Sequence, residues 1–314
     1  MSADHDVIMI GAGPSALAAA VYTTREDIGT VLYEKAVVGG LAAITDQVDN
    51  YPGFPDGIPG MQLADQLQRQ AERFGAKIEY GDVSAVRRDG DKCVVTVDGK
   101  DVTAKAVLIA TGSDYKKLGI PGEAKYYGRG VHYCATCDGA FYRDRNIVVV
   151  GGGNSGVQEA LFLTRFATHI DLLVRSTLKA SDVLQKELHK FVEEGKITIH
   201  LHTVPDEIIA NADDTVTTVK ATKDGDGVEF AADGIFVFIG LIPNTQFLAN
   251  SGIELDEQGL VRTDEHLRTN IEGFYASGDV RSGATMQIAS AVGEGASAAL
   301  AIREYLDHMG RSAE

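Results

Sequence analysis

Twice along this chain an apolar strand runs into a glycine-rich loop that opens a helix, and that repeat constrains the fold more than any other feature. The first copy starts at Val7-Ile8-Met9-Ile10, passes through Gly11-Ala12-Gly13-Pro14-Ser15-Ala16, and enters an alanine-rich stretch predicted as a helix over about Pro14 to Thr24. Val31-Leu32-Tyr33 reads as the next strand, ending at Glu34. The second copy runs from Ile147-Val148-Val149-Val150 through Gly151-Gly152-Gly153-Asn154-Ser155-Gly156 into a helix over about Ser155 to Phe166, then a strand from Ile170 to Val174. Each copy is a βαβ unit whose continuous apolar strands suit a parallel sheet buried on both faces. A lone Gly-x-Gly-x-x-Gly is a weak signal. Here each motif sits between strand and helix, where backbone N–H groups and the helix N-terminus can hold a pyrophosphate. The expected fold class is α/β, with two Rossmann-like dinucleotide-binding domains.

The two loops differ in chemistry. The acidic residue of such a fingerprint lies about twenty residues on, where it can bond a ribose hydroxyl. Glu34 holds that place in the first copy, 23 residues after Gly11, so an adenine dinucleotide is expected there. The same spacing from Gly151 lands on Val174, which offers no carboxylate, and Arg175 follows, able to pair with a 2′-phosphate. A nicotinamide nucleotide at Gly151, Gly153, Asn154, Ser155 and Arg175 is the favoured reading. Its rival is a relic loop that only packs helix on strand.

Between the fingerprints lies Val131-His132-Tyr133-Cys134-Ala135-Thr136-Cys137-Asp138-Gly139. Two cysteines separated by two residues can close a small disulfide or open into two thiols, and an adjacent carboxyl can move the proton that thiol–disulfide exchange requires. Cys134, Cys137 and Asp138 are the catalytic candidates. A metal site built from His132, Cys134, Cys137 and Asp138 is the rival, but structural zinc usually needs a second ligand pair at matching spacing and none is present. His132 is read as a partly exposed residue lining the approach to the pair rather than as a catalytic base, because Asp138 is better placed in sequence. Of the other histidines, His200 and His202 read as sharing one face of a strand. A redox disulfide flanked by two dinucleotide sites implies electrons passing from one nucleotide to another and then to sulfur.

The 314 residues suffice for two domains. The second is expected as an insertion, residues 118–244, entered near Leu118-Gly119-Ile120-Pro121-Gly122 and left near Pro243-Asn244. Residues 1–117 and 245–314 then form the first domain. It would be completed by the strand Phe274-Tyr275-Ala276, the run Ser277-Gly278-Asp279 and a last helix over about Gln287 to Leu306. Three cysteines exclude a disulfide-stapled secreted scaffold, and Cys93 reads as a buried strand residue. With no membrane-spanning apolar run and no leader before Val7, a cytoplasmic protein is expected. The net charge of −16 argues against nucleic acid or an anionic membrane as partner.

These residues resemble the low-molecular-weight thioredoxin reductases of bacteria over nearly the whole chain. Matching stretches include Gly11-Ala12-Gly13-Pro14, Gly39-Gly40, Asn50-Tyr51-Pro52-Gly53, Ala110-Thr111-Gly112, Gly128-Arg129-Gly130-Val131, Cys134-Ala135-Thr136-Cys137-Asp138-Gly139, Pro243-Asn244 and Gly278-Asp279-Val280. The resemblance implies a homodimer in which an FAD domain is split around an inserted NADPH domain carrying the disulfide. FAD would be held by Gly11, Gly13, Pro14, Ser15, Glu34, Lys35, Gly40, Leu41, Asn50, Val83, Ala110, Thr111, Gly112, Asp279, Gln287 and Ile288. It further implies that Cys137 faces the flavin, that Cys134 attacks thioredoxin or a thioredoxin-like protein, and that Asp138 serves as proton donor and acceptor. Gly128-Arg129-Gly130 would lie where the family docks its protein substrate. Three positions depart from the family. Its His-Arg-Arg and following arginine become Val174-Arg175-Ser176-Thr177-Leu178-Lys179, a basic residue before Gln287 becomes Met286, and a glutamine near the flavin becomes Leu41. NADPH remains the expected donor, with NADH or a reduced ferredoxin or flavoprotein as alternatives. A redox-sensing flavin-binding protein without turnover is the reading from another class.

Overall fold

The computed structural model describes residues 3–45 and 47–312. It divides into two compact units, Met1–Asp114 with Ile242–Glu314, and Tyr115–Leu241. The crossings lie within the short strands Ser113–Tyr115 and Leu241–Pro243, slightly ahead of the turn at Gly119 to Gly122 where the sequence places the first. That turn belongs to the second unit because local bonds hold it there. The Leu118 and Gly119 amides each donate to the buried Glu123 carboxylate at 2.7 Å, and the Ile208 amide donates to the Pro121 carbonyl at 3.0 Å.

In the first unit the strands Lys77–Tyr80, Thr30–Glu34, His5–Ile10 and Lys100–Ile109 lie side by side in parallel. Lys100–Ile109 is long enough to serve two partners on its other edge. Its first half pairs antiparallel with Lys92–Val97, and its second half pairs parallel with Phe274–Ala276. Val83–Asp89 completes the sheet beyond Lys92–Val97. The run Val7 to Ile10 is apolar at every position because both faces are covered. Val7 and Met9 pack under the helices Pro14–Thr24 and Ile288–Ser312, while Ile8 and Ile10 join Val95, Val107 and Phe274 on the opposite face.

The second unit repeats the plan. Ile197–Leu201, His169–Val174, Asn146–Val150, Gly234–Val237 and Val131–His132 form an all-parallel sheet. Ile147 and Val149 pack on the side of the helices Asn154–Leu163 and Asp182–Glu193. Val148 and Val150 face the antiparallel sheet of Thr203–Ala210, Val216–Lys223 and Asp226–Ala231. In both units the fingerprint strand lies between two strands that follow it in the chain, one on each side, so the order of the sheet reverses there. The crevice at its carboxyl end is where open α/β sheets bind ligands.

Candidate active site

The redox segment leaves the carboxyl end of Val131–His132, two strands across from the one that feeds Gly151. At the usual strand spacing that is roughly 10 Å, on the same edge of the same sheet. Cys134 and Cys137 are joined by a disulfide, with Cα atoms 5.3 Å apart. Cys134 caps the short helix Ala135–Asp138, its Sγ accepting the Cys137 N–H at 3.2 Å. The residues between and behind the sulfurs have packing reasons. Ala135 is buried in the core of the unit, Thr136 is exposed, and a Cβ at Gly139 would stand 2.8 Å from Leu163 Cδ2. The segment therefore seats flush on the helix Asn154–Leu163 while both cysteines stay partly accessible.

Asp138 is bound from behind. Its Oδ2 lies 3.1 Å from His132 Nδ1, and His132 Nε2 lies 2.7 Å from the Tyr142 hydroxyl. His132 is 5% exposed, so the partly exposed histidine expected at this position is instead a core residue. The strand end turns its ring inward, against Phe236. Burial and the nearby Asp138 charge push the Tyr142 hydroxyl pKa upward, which keeps it neutral. On the other side of the segment Tyr133 donates to Glu123 at 2.7 Å.

The first fingerprint opens into two adjoining cavities of about 450 and 350 Å³ that share Gly11, Glu34, Lys35, Thr111 and Asn244. The larger is lined by Gly13, Pro14, Ser15, Gly40, Leu41, Ala110, Gly112, Asp279, Gln287 and Ile288, and the smaller by Val83. Asn50 lines neither, but its amide donates to Gln287 Oε1 at 3.0 Å. Glu34 accepts the Ala12 and Ala36 amides, each at 2.8 Å, which fixes the carboxylate where the two cavities meet. Asp279 is raised to about 6, by burial first and by the Glu294 charge second. Sequence reasoning missed Ser277, whose hydroxyl lies 2.6 Å from that of Ser15, and Asn244, whose amide holds the Thr111 carbonyl at 3.1 Å. Both lie within quoted stretches without having been read as site residues, because only the pairing of distant strands brings them to the cavity.

At the second fingerprint, Gly151 has a φ of +146°, and a Cβ there would meet the Phe238 carbonyl oxygen at 2.4 Å. Gly156 lies against the same turn, whereas Gly153 faces open space at the N-terminus of Asn154–Leu163. Ser155 and Arg175 are exposed. The stretch after Arg175 folds back onto the loop: Lys179 N donates to the Gly152 carbonyl at 2.7 Å, and Ser181 N donates to Asn154 Oδ1 at 2.8 Å. The Asn154 side-chain oxygen thus serves the backbone of its own chain. His200 and His202 do not share a strand face. The strand ends at Leu201, His202 is a turn residue with φ +53°, and His200 Nε2 pairs with Asp171 at 2.7 Å. Among the described residues no group of three or more His, Cys, Asp or Glu is placed to hold a metal ion, and no helix is long and apolar enough to cross a membrane. Cys93 is buried in Lys92–Val97, its thiol pushed up to about 11 by desolvation, as expected of a core residue.

The model of the pyridine nucleotide-disulphide oxidoreductases matches residues 5–295. A thioredoxin reductase of Listeria innocua is 41% identical over 313 residues, covering 99% of this chain and 96% of the relative. One of Bacillus subtilis is 40% identical over 306 residues, covering 97% and 96%. The crystal structure of thioredoxin reductase from Streptococcus pyogenes superposes with a TM-score of 0.90 at 38% identity, over 97% of this chain and 98% of that one. The chain therefore belongs to the pyridine nucleotide-disulphide oxidoreductase family and is an oxidoreductase of the thioredoxin reductase type.

Proposed function

We propose that the protein is an FAD-dependent thioredoxin-disulfide reductase, taking electrons from NADPH and delivering them through Cys134–Cys137 to thioredoxin or a thioredoxin-like protein. The observation that carries this reading is the Cys134–Cys137 disulfide, partly accessible and next to Asp138, in the same unit as the second fingerprint. The first unit fits FAD. Gly13 and Gly112 line the larger cavity with open space where a Cβ would stand, and the N-terminus of Pro14–Thr24 opens beside them. The paired cavities suit a two-lobed ligand, with Glu34 at the waist. When bound, FAD supplies the two-electron relay between nucleotide and sulfur. The second unit fits a nicotinamide nucleotide at Gly153 and the N-terminus of Asn154–Leu163, with Arg175 and Lys179 as exposed cations for its phosphate.

The chain's own residues then perform the exchange. Cys134 passes its proton to the Asp138 carboxylate and attacks one sulfur of the partner disulfide. The partner S–S bond breaks as the mixed disulfide forms, and the leaving thiolate takes the proton back from Asp138. Cys137 repeats the cycle: its proton goes to Asp138, its sulfur attacks Cys134, and the second partner thiolate leaves and is protonated. Two electrons and two protons reach the partner, the Cys134–Cys137 bond is restored, and Asp138 ends as it began. A cytoplasmic location is part of the proposal, since a dithiol re-formed on every turnover suits a reducing compartment, and a homodimer is carried over from the resemblance to the family. Steady-state reduction of a thioredoxin with NADPH, NADH and reduced ferredoxin tests the reading. NADPH is expected to support the fastest turnover. Failure with every donor would sink the function, and preference for another donor would change only its first step.

A further inference from the structure

We propose that His132 is a positioning residue for the disulfide chemistry, holding the Asp138 carboxyl through a hydrogen-bonded chain that ends at Tyr142. The proposal rests on Asp138 acting as the proton carrier in the reading above. Both ring nitrogens of His132 are engaged, Nδ1 with Asp138 Oδ2 at 3.1 Å and Nε2 with the Tyr142 hydroxyl at 2.7 Å. The ring is stacked on Phe236 at 5.1 Å and meets Tyr142 edge-on at 5.2 Å. A ring so enclosed has one orientation, and the protonation of Asp138 decides which nitrogen carries the proton.

The chain has two arrangements and keeps every bond in both. With Asp138 ionised, Tyr142 O–H donates to Nε2 and Nδ1–H donates to the carboxylate. With Asp138 protonated, its O–H donates to Nδ1 and Nε2–H donates to the Tyr142 oxygen. Both hydrogen bonds of the His132 ring therefore persist as Asp138 cycles twice per turnover, the Tyr142 hydroxyl turning its own hydrogen away from Nε2 when its oxygen accepts. Few other charges face this chain. The Cys134–Cys137 pair lies on the same segment as Asp138. Asp233, just before the Phe236 strand, and Arg145 pair with each other at 3.3 Å and act on Tyr142 with opposite signs. Removing the imidazole would leave the Asp138 carboxyl free to rotate and less matched in its two protonation states.

The test is the rate at which dithiothreitol opens the Cys134–Cys137 disulfide in the full-length protein, followed by thiol titration across pH. It needs neither thioredoxin nor a nucleotide donor, so it stands apart from the proposed function. Wild type and Asp138→Asn set the upper and lower bounds. His132→Ala is expected to slow opening about tenfold or more and to displace the pH dependence that Asp138→Asn abolishes. His132→Asn, which keeps an amide near the Nδ1 position, is expected to recover part of the rate, and Tyr142→Phe to displace the profile with a smaller loss. The proposal is overturned if His132→Asn and Tyr142→Phe fold with wild-type melting temperatures and keep the wild-type rate and pH profile. It is also overturned if Asp138→Asn itself leaves the opening rate unchanged.

Discussion

Asp138 begins one helical turn after Cys134, its amide bonded to the Cys134 carbonyl at 3.2 Å, and this fixes which residues act as a unit. Asp138→Asn is expected to slow protein-disulfide turnover by roughly 10²–10⁴-fold, the usual range for a positioned acid or base, with flavin content unchanged. Steady-state rates and the absorbance of the bound flavin check both halves. The cysteines and Asp138 were legible because their chemistry depends on sequence spacing. The role of His132 was not, because its burial follows from a two-residue strand pairing with Gly234–Val237, across a separation no local pattern reports. Asp279 gives a second residue-scale test. Its carboxyl is raised to about 6 by burial and by Glu294, so the folded state favours the protonated form. The stabilising contribution is complete below the unfolded value of about 3.9 and is lost as pH rises toward 6. In flavin-free protein, Asp279→Asn should therefore gain melting temperature relative to wild type across that window and hold the gain above it. A constant difference at every pH would contradict the assignment.

The helix Ile288–Ser312 returns to the first unit and packs on Pro14–Thr24 so closely that a Cβ at Gly295 would stand 2.0 Å from the Ser15 carbonyl oxygen. Gly293, two residues earlier, faces open space. Gly295→Ala is expected to destabilise by about 1–3 kcal/mol through overpacking against backbone and to weaken flavin binding at the Ser15 loop. Gly293→Ala should be neutral or stabilising by up to about 1 kcal/mol, since alanine is the better helix former. Denaturant midpoints of the two variants decide this, and equal effects would show that the helix contact is not the constraint. At this scale the sequence revealed the parallel strands, whose apolar runs are continuous, and the helices after each glycine loop. It overran one: the helix expected to Phe166 ends at Leu163, where the Thr164 hydroxyl bonds the Leu161 carbonyl at 2.6 Å and tightens the last turn. Strands such as Val83–Asp89, with a single buried residue, carried too little apolar periodicity to be read.

At the scale of the whole molecule what matters is the route of electrons, and the donor is where this chain departs from the family it resembles. Arg175 and Lys179 are exposed, and Ser176 stands where the resembled pattern has arginine. NADPH is expected to outperform NADH, but with a KM that rises on adding salt, because exposed charge pairs are screened. Ser176→Arg should lower the KM for NADPH about tenfold or more and leave NADH unchanged, as one charge-assisted phosphate contact contributes about 1.5–3 kcal/mol. Initial rates with both nucleotides at two ionic strengths check this. The central claim is that electrons leave through Cys134–Cys137. Its most direct test compares wild type with Cys134→Ser, each loaded with FAD, for flavin reduction by NADPH in a single turnover and for thioredoxin reduction at steady state. The account predicts that flavin reduction survives in Cys134→Ser while thioredoxin reduction vanishes. Wild-type thioredoxin turnover in Cys134→Ser would contradict it.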